Sequence, residues 1–317
     1  MSEQQSRNLT TLVGMDPSLP ARNALEALAM SSIAPSCNVS LATVVSEPPL
    51  YRVDDTDLPW IPQEVFDSRM EAEQRRLQAL ADELGSRFLA CETVVAQGHP
   101  GRELLQLAET QDADWIVLGS VGHSAIARIM LGSTSDYVAN RASCTCLIHR
   151  SPETPADATE SVFTRVVVAI SNAASDASLP EWIETLRLQP GCEVHLLHVM
   201  ETHPEYELHL LKKISAYMEE VRSAAWKLME STRPKLESLG IHVRPMLVES
   251  AHIGQTIVDY ADSHDCNLII VGDQDDTMIE RVMLGSVSRF VVRHASQSVL
   301  IARSITRSST ANENLHS

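Results

Sequence analysis

Gly119, Gly122, Gly132 and Ser133, with Thr134 following, are the residues whose types and spacing carry the clearest chemistry in this chain. The apolar run Trp115-Ile116-Val117-Leu118 stops at Gly119, a glycine-punctuated loop follows, and Gly132-Ser133-Thr134 leads into a helical pattern. Glycine accepts positive φ and lets a ligand approach the main chain closely. A helix start presents unpaired N–H groups with the helix dipole behind them, which attract anions. The hydroxyls of Ser133 and Thr134 add donors at the same place. A strand, a glycine loop and a Gly-Ser-Thr step into a helix together describe a backbone that makes room for phosphate. The first lysine of the chain is Lys212, so a GxxxxGK[ST] loop is excluded upstream of it. Phosphate binding there rests on backbone N–H groups, hydroxyls, Arg128 and a bound Mg²⁺.

The elements that position this loop alternate between strand and helix. Residues 9–15 read as a first strand ending at Asp16, 21–30 as a helix and 39–45 as a second strand. The stretch 47–62, rich in proline and aspartate, reads as a loop. Leu77, Leu80 and Leu84 recur at helical spacing up to Gly85, so that face is expected in the core. Residues 92–96 read as a third strand, 102–109 as a helix, and 144–149 as the strand after the glycine loop. Such alternation predicts a parallel sheet covered on both faces by helices.

The order then repeats. RVVVAI (165–170) corresponds to the first strand, EVHLLHV (193–199) to NVSLATV, and LIIVG (268–272) to WIVLG. A long helical stretch over 208–239 contains Pro234, which is expected to kink or divide it. Gly285-Ser286 match Gly132-Ser133, and 299–303 close the second half. The division is therefore a unit at 1–150, a polar linker at 151–162, a second unit at 163–304 and a disordered tail at 305–317.

The spacing G-x2-G-x9-G-[ST], read at Gly119, Gly122, Gly132 and Ser133, resembles the nucleotide-binding signature of the universal stress protein family. With the repeat, the resemblance is to a tandem member covering almost the whole chain. It implies an α/β fold: two five-stranded parallel-sheet units of adenine-nucleotide-hydrolase-like, doubly wound type. It also implies an intrachain pseudo-dimer, with 144–149 pairing with 298–302 and hiding two sheet edges. The implied ligand is ATP with Mg²⁺. Asp16 would accept hydrogen bonds beside base and ribose, and Val44 would pack on adenine. Gly119 and Gly122 would surround the sugar and first phosphates; Gly132, Ser133 and Thr134 would hold the outer ones.

The second unit departs from this pattern. Ser171 stands where Asp16 stands, and Asp275 replaces the second glycine, with Asp273 and Asp276 beside it. A like charge about 4 Å from a phosphate costs roughly 4 kcal/mol at an effective dielectric near 20. That removes much of a micromolar affinity, worth about 8 kcal/mol. The second unit is expected to bind ATP poorly or not at all.

Composition bounds the remaining classes. A chain of 317 residues with 44% hydrophobic content and a net charge of −17 is globular and acidic, which argues against nucleic-acid partners. No apolar run reaches the roughly 20 residues of a membrane span and the first ten residues are polar, so a cytoplasmic location is expected. Cys144 and Cys146 point to one face of a strand and read as small core residues; His195 and His198 point to opposite faces and make a poor metal pair. No catalytic constellation and no metal-ligand set emerges. The expected function is ATP-dependent regulation in stress adaptation through an unidentified protein partner, with a homodimer of tandem chains as one assembly. The alternatives are a slow Mg-dependent ATPase and a nucleotide-free interaction scaffold.

Overall fold

In the first unit, β1 (Leu9–Gly14), α1 (Leu19–Met30) and β2 (Cys37–Val45) are followed by the short strands β3 (Leu50–Val53) and β4 (Thr56–Pro59). Next come α2 (Gln63–Leu84), β5 (Ala90–Gln97), α3 (Pro100–Thr110), β6 (Trp115–Gly119), α4 (Ser133–Arg141) and β7 (Thr145–His149). The second unit contains β8 (Arg165–Ile170), α5 (Leu179–Thr185), β9 (Glu193–Glu201), α6 (Leu211–Glu237), β10 (His242–Ser250) and α7 (Ile253–Ser263). It closes with β11 (Leu268–Gly272), α8 (Ser286–His294) and β12 (Ser298–Ala302). These elements come from a computed structural model that describes residues 8–46, 50–53, 56–59, 63–120, 131–151, 162–171, 179–202, 211–273 and 284–303. Of the expected linker at 151–162, residues 152–161 lie outside them, as do the expected tail at 305–317 and Gly122, Arg128, Asp275 and Asp276.

All ten principal strands form one sheet, ordered β10-β9-β8-β11-β12-β7-β6-β1-β2-β5. Within each unit the pairs are parallel, and the strand order reverses between β1 and β6 and between β8 and β11. The central pair is the exception. β7 and β12 run antiparallel, with Ile148 opposite Val299, Leu147 opposite Leu300 and Cys146 opposite Ile301. The intrachain pairing implied by the family resemblance is therefore present, and neither last strand is left as an edge.

Burial on both faces explains why the central strands read as unbroken apolar runs rather than alternating ones. Successive residues of β7 enter opposite layers. Leu147 joins the layer with α1, α2, α5 and α6, whereas Cys146 and Ile148 join the layer with α3, α4, α7 and α8. Both layers contain residues of both units, so the core crosses the seam. Trp115 and Trp182, one from each unit and both fully buried, meet at 5.6 Å between ring centroids. Their indole N–H groups are satisfied by Thr11 Oγ1 at 2.7 Å and Arg303 O at 2.9 Å. On α2, Leu77 and Leu80 are buried and Leu84 packs on the same layer, as their spacing predicts.

Polar groups lock the seam reciprocally. Arg303 N donates to Thr145 Oγ1 at 2.8 Å, and Arg150 N donates to Ser298 Oγ at 3.0 Å. The Arg303 guanidinium donates to Cys144 O and Ala139 O, and that of Arg150 to Gln297 O and Val292 O. Each buried arginine thus caps carbonyls near the C-terminal end of the other unit's last helix, where a cation is favoured.

Two expectations are corrected. The 47–62 stretch is not wholly loop, because β3 and β4 pair antiparallel with Val53 beside Thr56. Pro234 does not divide α6, which runs continuously from Leu211 to Glu237. Proline at this position removes one intrahelical bond, the one its N–H would have made to Glu230 O, and the helix continues through it to Glu237.

His149, at the end of β7, supplies a pH test of the seam. Burial, with a smaller contribution from Arg150, pushes its imidazole from the usual 6.5 down to about 4. A neutral folded histidine binds fewer protons than the unfolded one, so stability is full above pH 6.5 and declines as pH falls toward 4. The complete loss amounts to about 3 kcal/mol. Denaturant unfolding across this range is expected to show a steeper decline for the natural chain than for His149→Gln.

Candidate functional site

The carboxyl ends of β1, β2 and β6 and the start of α4 enclose a cavity of about 420 Å³. It lies at the reversal of strand order, where open parallel sheets hold ligands, and its size suits a small molecule. Asp16, Val44, Gly119, Gly132, Ser133 and Thr134 all line it. Gly122 and Arg128, also singled out for this site in the sequence, lie outside the described part of the chain.

Local chemistry explains each placement. β1 ends in Gly14, whose Cβ would lie 2.3 Å from Leu118 Cδ2. The chain then turns at Asp16, whose Oδ1 accepts Ser18 N–H at 2.9 Å and the Ser18 hydroxyl. Ser18 is in turn the N-cap of α1. Asp16 is therefore a turn-former and a lining residue at once. Arg76 on α2 donates to Asp16 O at 3.2 Å and pairs with Glu73 at 2.7 Å, bracing this corner. Arg69 and Glu73 complete the lining from α2.

α4 begins at Gly132 without a side-chain cap, and its first backbone acceptor is Gly132 O, reached by Asp136 N at 2.8 Å. The preceding N–H groups, at Ser133, Thr134 and Ser135, precede the intrahelical ladder and lie beside the cavity. Ser135 contributes its hydroxyl differently, donating to Gly119 O at 3.0 Å and tying β6 to α4. Asp136 would oppose an anion here, but Arg293 of the second unit holds its carboxylate bidentately at 2.9 and 3.0 Å.

The equivalent corner of the second unit is built from the same frame with larger side chains. Strand registers place Ala169, Leu197 and His198 where Gly14, Ala42 and Thr43 stand. Leu197 and His198 are buried, and His198 Nδ1 hydrogen-bonds Ile170 O at 2.7 Å. The frame itself is kept, since Ser288 Oγ donates to Gly272 O at 2.6 Å as Ser135 does to Gly119 O.

Charge differs as well as volume. Asp273, the counterpart of Ser120, lies 3.5 Å from the Nε of buried Arg303. Burial pushes the Asp273 carboxyl up, against the opposing pull of Arg303. The repulsion expected of Asp273 is thus largely spent on its own arginine. In the first unit Ser120 offers no carboxylate. Arg150 is equally buried, donates only to neutral carbonyls, and its Nε has no partner among the described residues. Burial pushes its pKa down to about 10, so the charge persists at neutral pH. Among the described residues the first unit therefore has a buried cation without a carboxylate partner just after the β7 residue that pairs with Gly119, the neighbour of the cavity-lining Ser120.

Comparison with known proteins agrees with this architecture. The model of the Universal stress protein family matches residues 9–150 and again 163–303. The chain belongs to the universal stress protein family. Universal stress protein Sll1388 of Synechocystis sp. is 39% identical over 72 residues, which are 23% of this chain and 47% of that protein, so the chain spans about half its length. Universal stress protein YxiE of Bacillus subtilis is 29% identical over 143 residues, covering 44% of this chain and 97% of its own. A crystal structure of a universal stress protein from Archaeoglobus fulgidus shares the fold with a TM-score of 0.62 at 20% identity, over 94% of this chain and 97% of its own. The protein PA1789 of Pseudomonas aeruginosa, described as functionally unknown, superposes with a TM-score of 0.58 at 14% identity over 93% and 92%.

Within this universal stress protein, sequence reasoning missed Ser135, Arg150, Thr43 and Arg76. The repeat held a signal for the first, because Gly-Ser-x-Ser occurs at 132–135 and at 285–288. Cys144 and Cys146 are buried and unpaired as expected, with burial pushing their thiols up to about 11 and about 12. No group of metal-ligating side chains occurs among the described residues.

Gly119 has a packing role that its sequence context did not reveal. A Cβ there would sit 2.4 Å from Pro20 C and O and 2.6 Å from Ala21 N, so the missing side chain admits the start of α1. Gly119→Ala is expected to destabilise the ligand-free protein by about 1–3 kcal/mol. An unchanged thermal midpoint would contradict this reading.

Proposed function

We propose that this universal stress protein is a regulatory nucleotide-binding protein whose first unit alone holds one ATP, with Mg²⁺. The observation that carries the proposal is electrostatic. The uncapped start of α4 lies at the first cavity, and the nearby buried Arg150, which follows the strand residue paired with Gly119, has no carboxylate partner among the described residues, whereas the corresponding arginine of the second unit is paired with Asp273. Family membership supports a role in the stress response. Bound ATP would supply the negative phosphates that these groups attract. Asp16 would accept from ribose through Oδ2, Val44 would pack on the base, and Gly132, Ser133 and Thr134 would cradle the outer phosphates.

Binding rather than hydrolysis fits the residues present. Asp16 Oδ1 is held by Ser18 and Glu73 by Arg76, so neither cavity carboxylate is arranged as a general base. A change in association with a protein partner or a second copy would be the output. A cytoplasmic location suits six unpaired cysteines.

Calorimetric titration of nucleotide-free protein with Mg-ATP tests the proposal. One site per chain is expected, weakened at least tenfold by Ser120→Asp but little by Ser120→Asn, a loss of about 1.4 kcal/mol or more. Two sites would contradict the asymmetry, and no binding would overturn the nucleotide reading.

A further inference from the structure

A second cavity, of about 750 Å³, opens between the two units. The start of β1 and the turn before β2 form one wall; the ends of α5 and α6 and the approach to β10 form the other. None of its lining residues is shared with the first cavity. Cavities of this size at the boundary of two folded units are a common place for small ligands.

Its chemistry is amphipathic. Ile33 and Ile183 are buried at its base, Leu188 is half-buried, and Leu239 is 43% exposed, one of the few large apolar side chains left in water. The charged lining is Arg187, Lys235 and Glu184, and the last two pair with each other. Arg187 makes no ion pair among the described residues, so in a chain of net charge −17 this cleft carries one unanswered positive charge. Arg187 is also held unusually. Its φ is 47°, and the other two non-glycine residues with positive φ in the described chain are aspartates, Asp112 and Asp265, which tolerate that conformation better. An arginine thus occupies a backbone corner that glycine would adopt without strain. Burial pushes the Cys37 thiol of the first unit up to about 11, opposed by its hydrogen bond with Thr11 and then by the Arg187 guanidinium.

We infer that this interunit cleft binds a small organic anion with an apolar body, such as an aliphatic monocarboxylate. The Arg187 guanidinium takes the charged head, and Leu188 and Leu239 cover the chain. Burying apolar surface of ligand and cleft together supplies the drive, and the planar guanidinium matches a carboxylate with two parallel hydrogen bonds. Ser32 and Gln189 hydrogen-bond across the units, so occupancy would couple to how the units are held together.

Decanoate is the probe, titrated calorimetrically into the full chain with and without saturating Mg-ATP. One decanoate per chain is expected, with unchanged affinity in the presence of Mg-ATP. Arg187→Gly removes the charge and relieves the positive φ, so it is expected to leave the unfolding midpoint equal or higher while weakening decanoate at least tenfold. Decanol, which keeps the chain and lacks the charge, is expected to bind at least tenfold more weakly. Absence of decanoate binding, equal binding by Arg187→Gly, equal binding of decanol, or competition by Mg-ATP would each overturn the assignment. None of these outcomes depends on whether the first unit binds nucleotide.

Discussion

Thr145 and Ser298 each hold the backbone of the other unit's arginine, and the antiparallel β7–β12 pair they flank turns two parallel sheets into one. Two unpaired central edges would be templates for aggregation. Pairing them within one chain removes that liability, and it carries both core layers across the boundary. The buried arginines are the cost of this arrangement. An ionised group taken out of water is stabilised only when its donors are satisfied, and the carbonyls near the C-terminal ends of α4 and α8 provide most of that.

From that seam follows the inequality of the two sites. The frame is common to both units: a strand stopping at glycine, a helix starting at Gly-Ser, and a serine hydroxyl bonding the strand's last carbonyl. What differs are the residues that fill or charge the corner. Ala42 and Thr43 leave space where Leu197 and His198 take it, and Ser120 leaves Arg150 unanswered where Asp273 answers Arg303. Duplication followed by such divergence leaves two corners on the same sheet that differ in side-chain volume and in the partner of their buried arginine. The interunit cleft is a product of the same joining, since neither unit alone could form both its walls.

Much of this was legible in the sequence, and the reasons it was or was not are physical. WIVLG and LIIVG announce strands buried on both faces, and their recurrence announces the duplication. The residues predicted for the site meet because parallel topology brings the carboxyl ends of β1, β2 and β6 together. The β3–β4 pair was missed because four residues are too few to show a periodicity and the strands sit within a proline- and aspartate-rich stretch. Pro234 does not divide α6 because the helix carries on past it to Glu237. Gly119 lines the cavity, and the space its missing Cβ leaves is also taken by Pro20 and Ala21, a contact of tertiary origin that the sequence did not reveal. Arg150 and Arg303 read as ordinary residues at strand ends, since their partners lie more than a hundred positions away in the chain.

Amide hydrogen exchange with and without Mg-ATP would test the central asymmetry most directly. The account predicts new protection at the amides of Ser133, Thr134 and Ser135, with none at the equivalent Ser286, Val287 and Ser288. Equal protection at both helix starts would contradict it, and so would protection confined to the second.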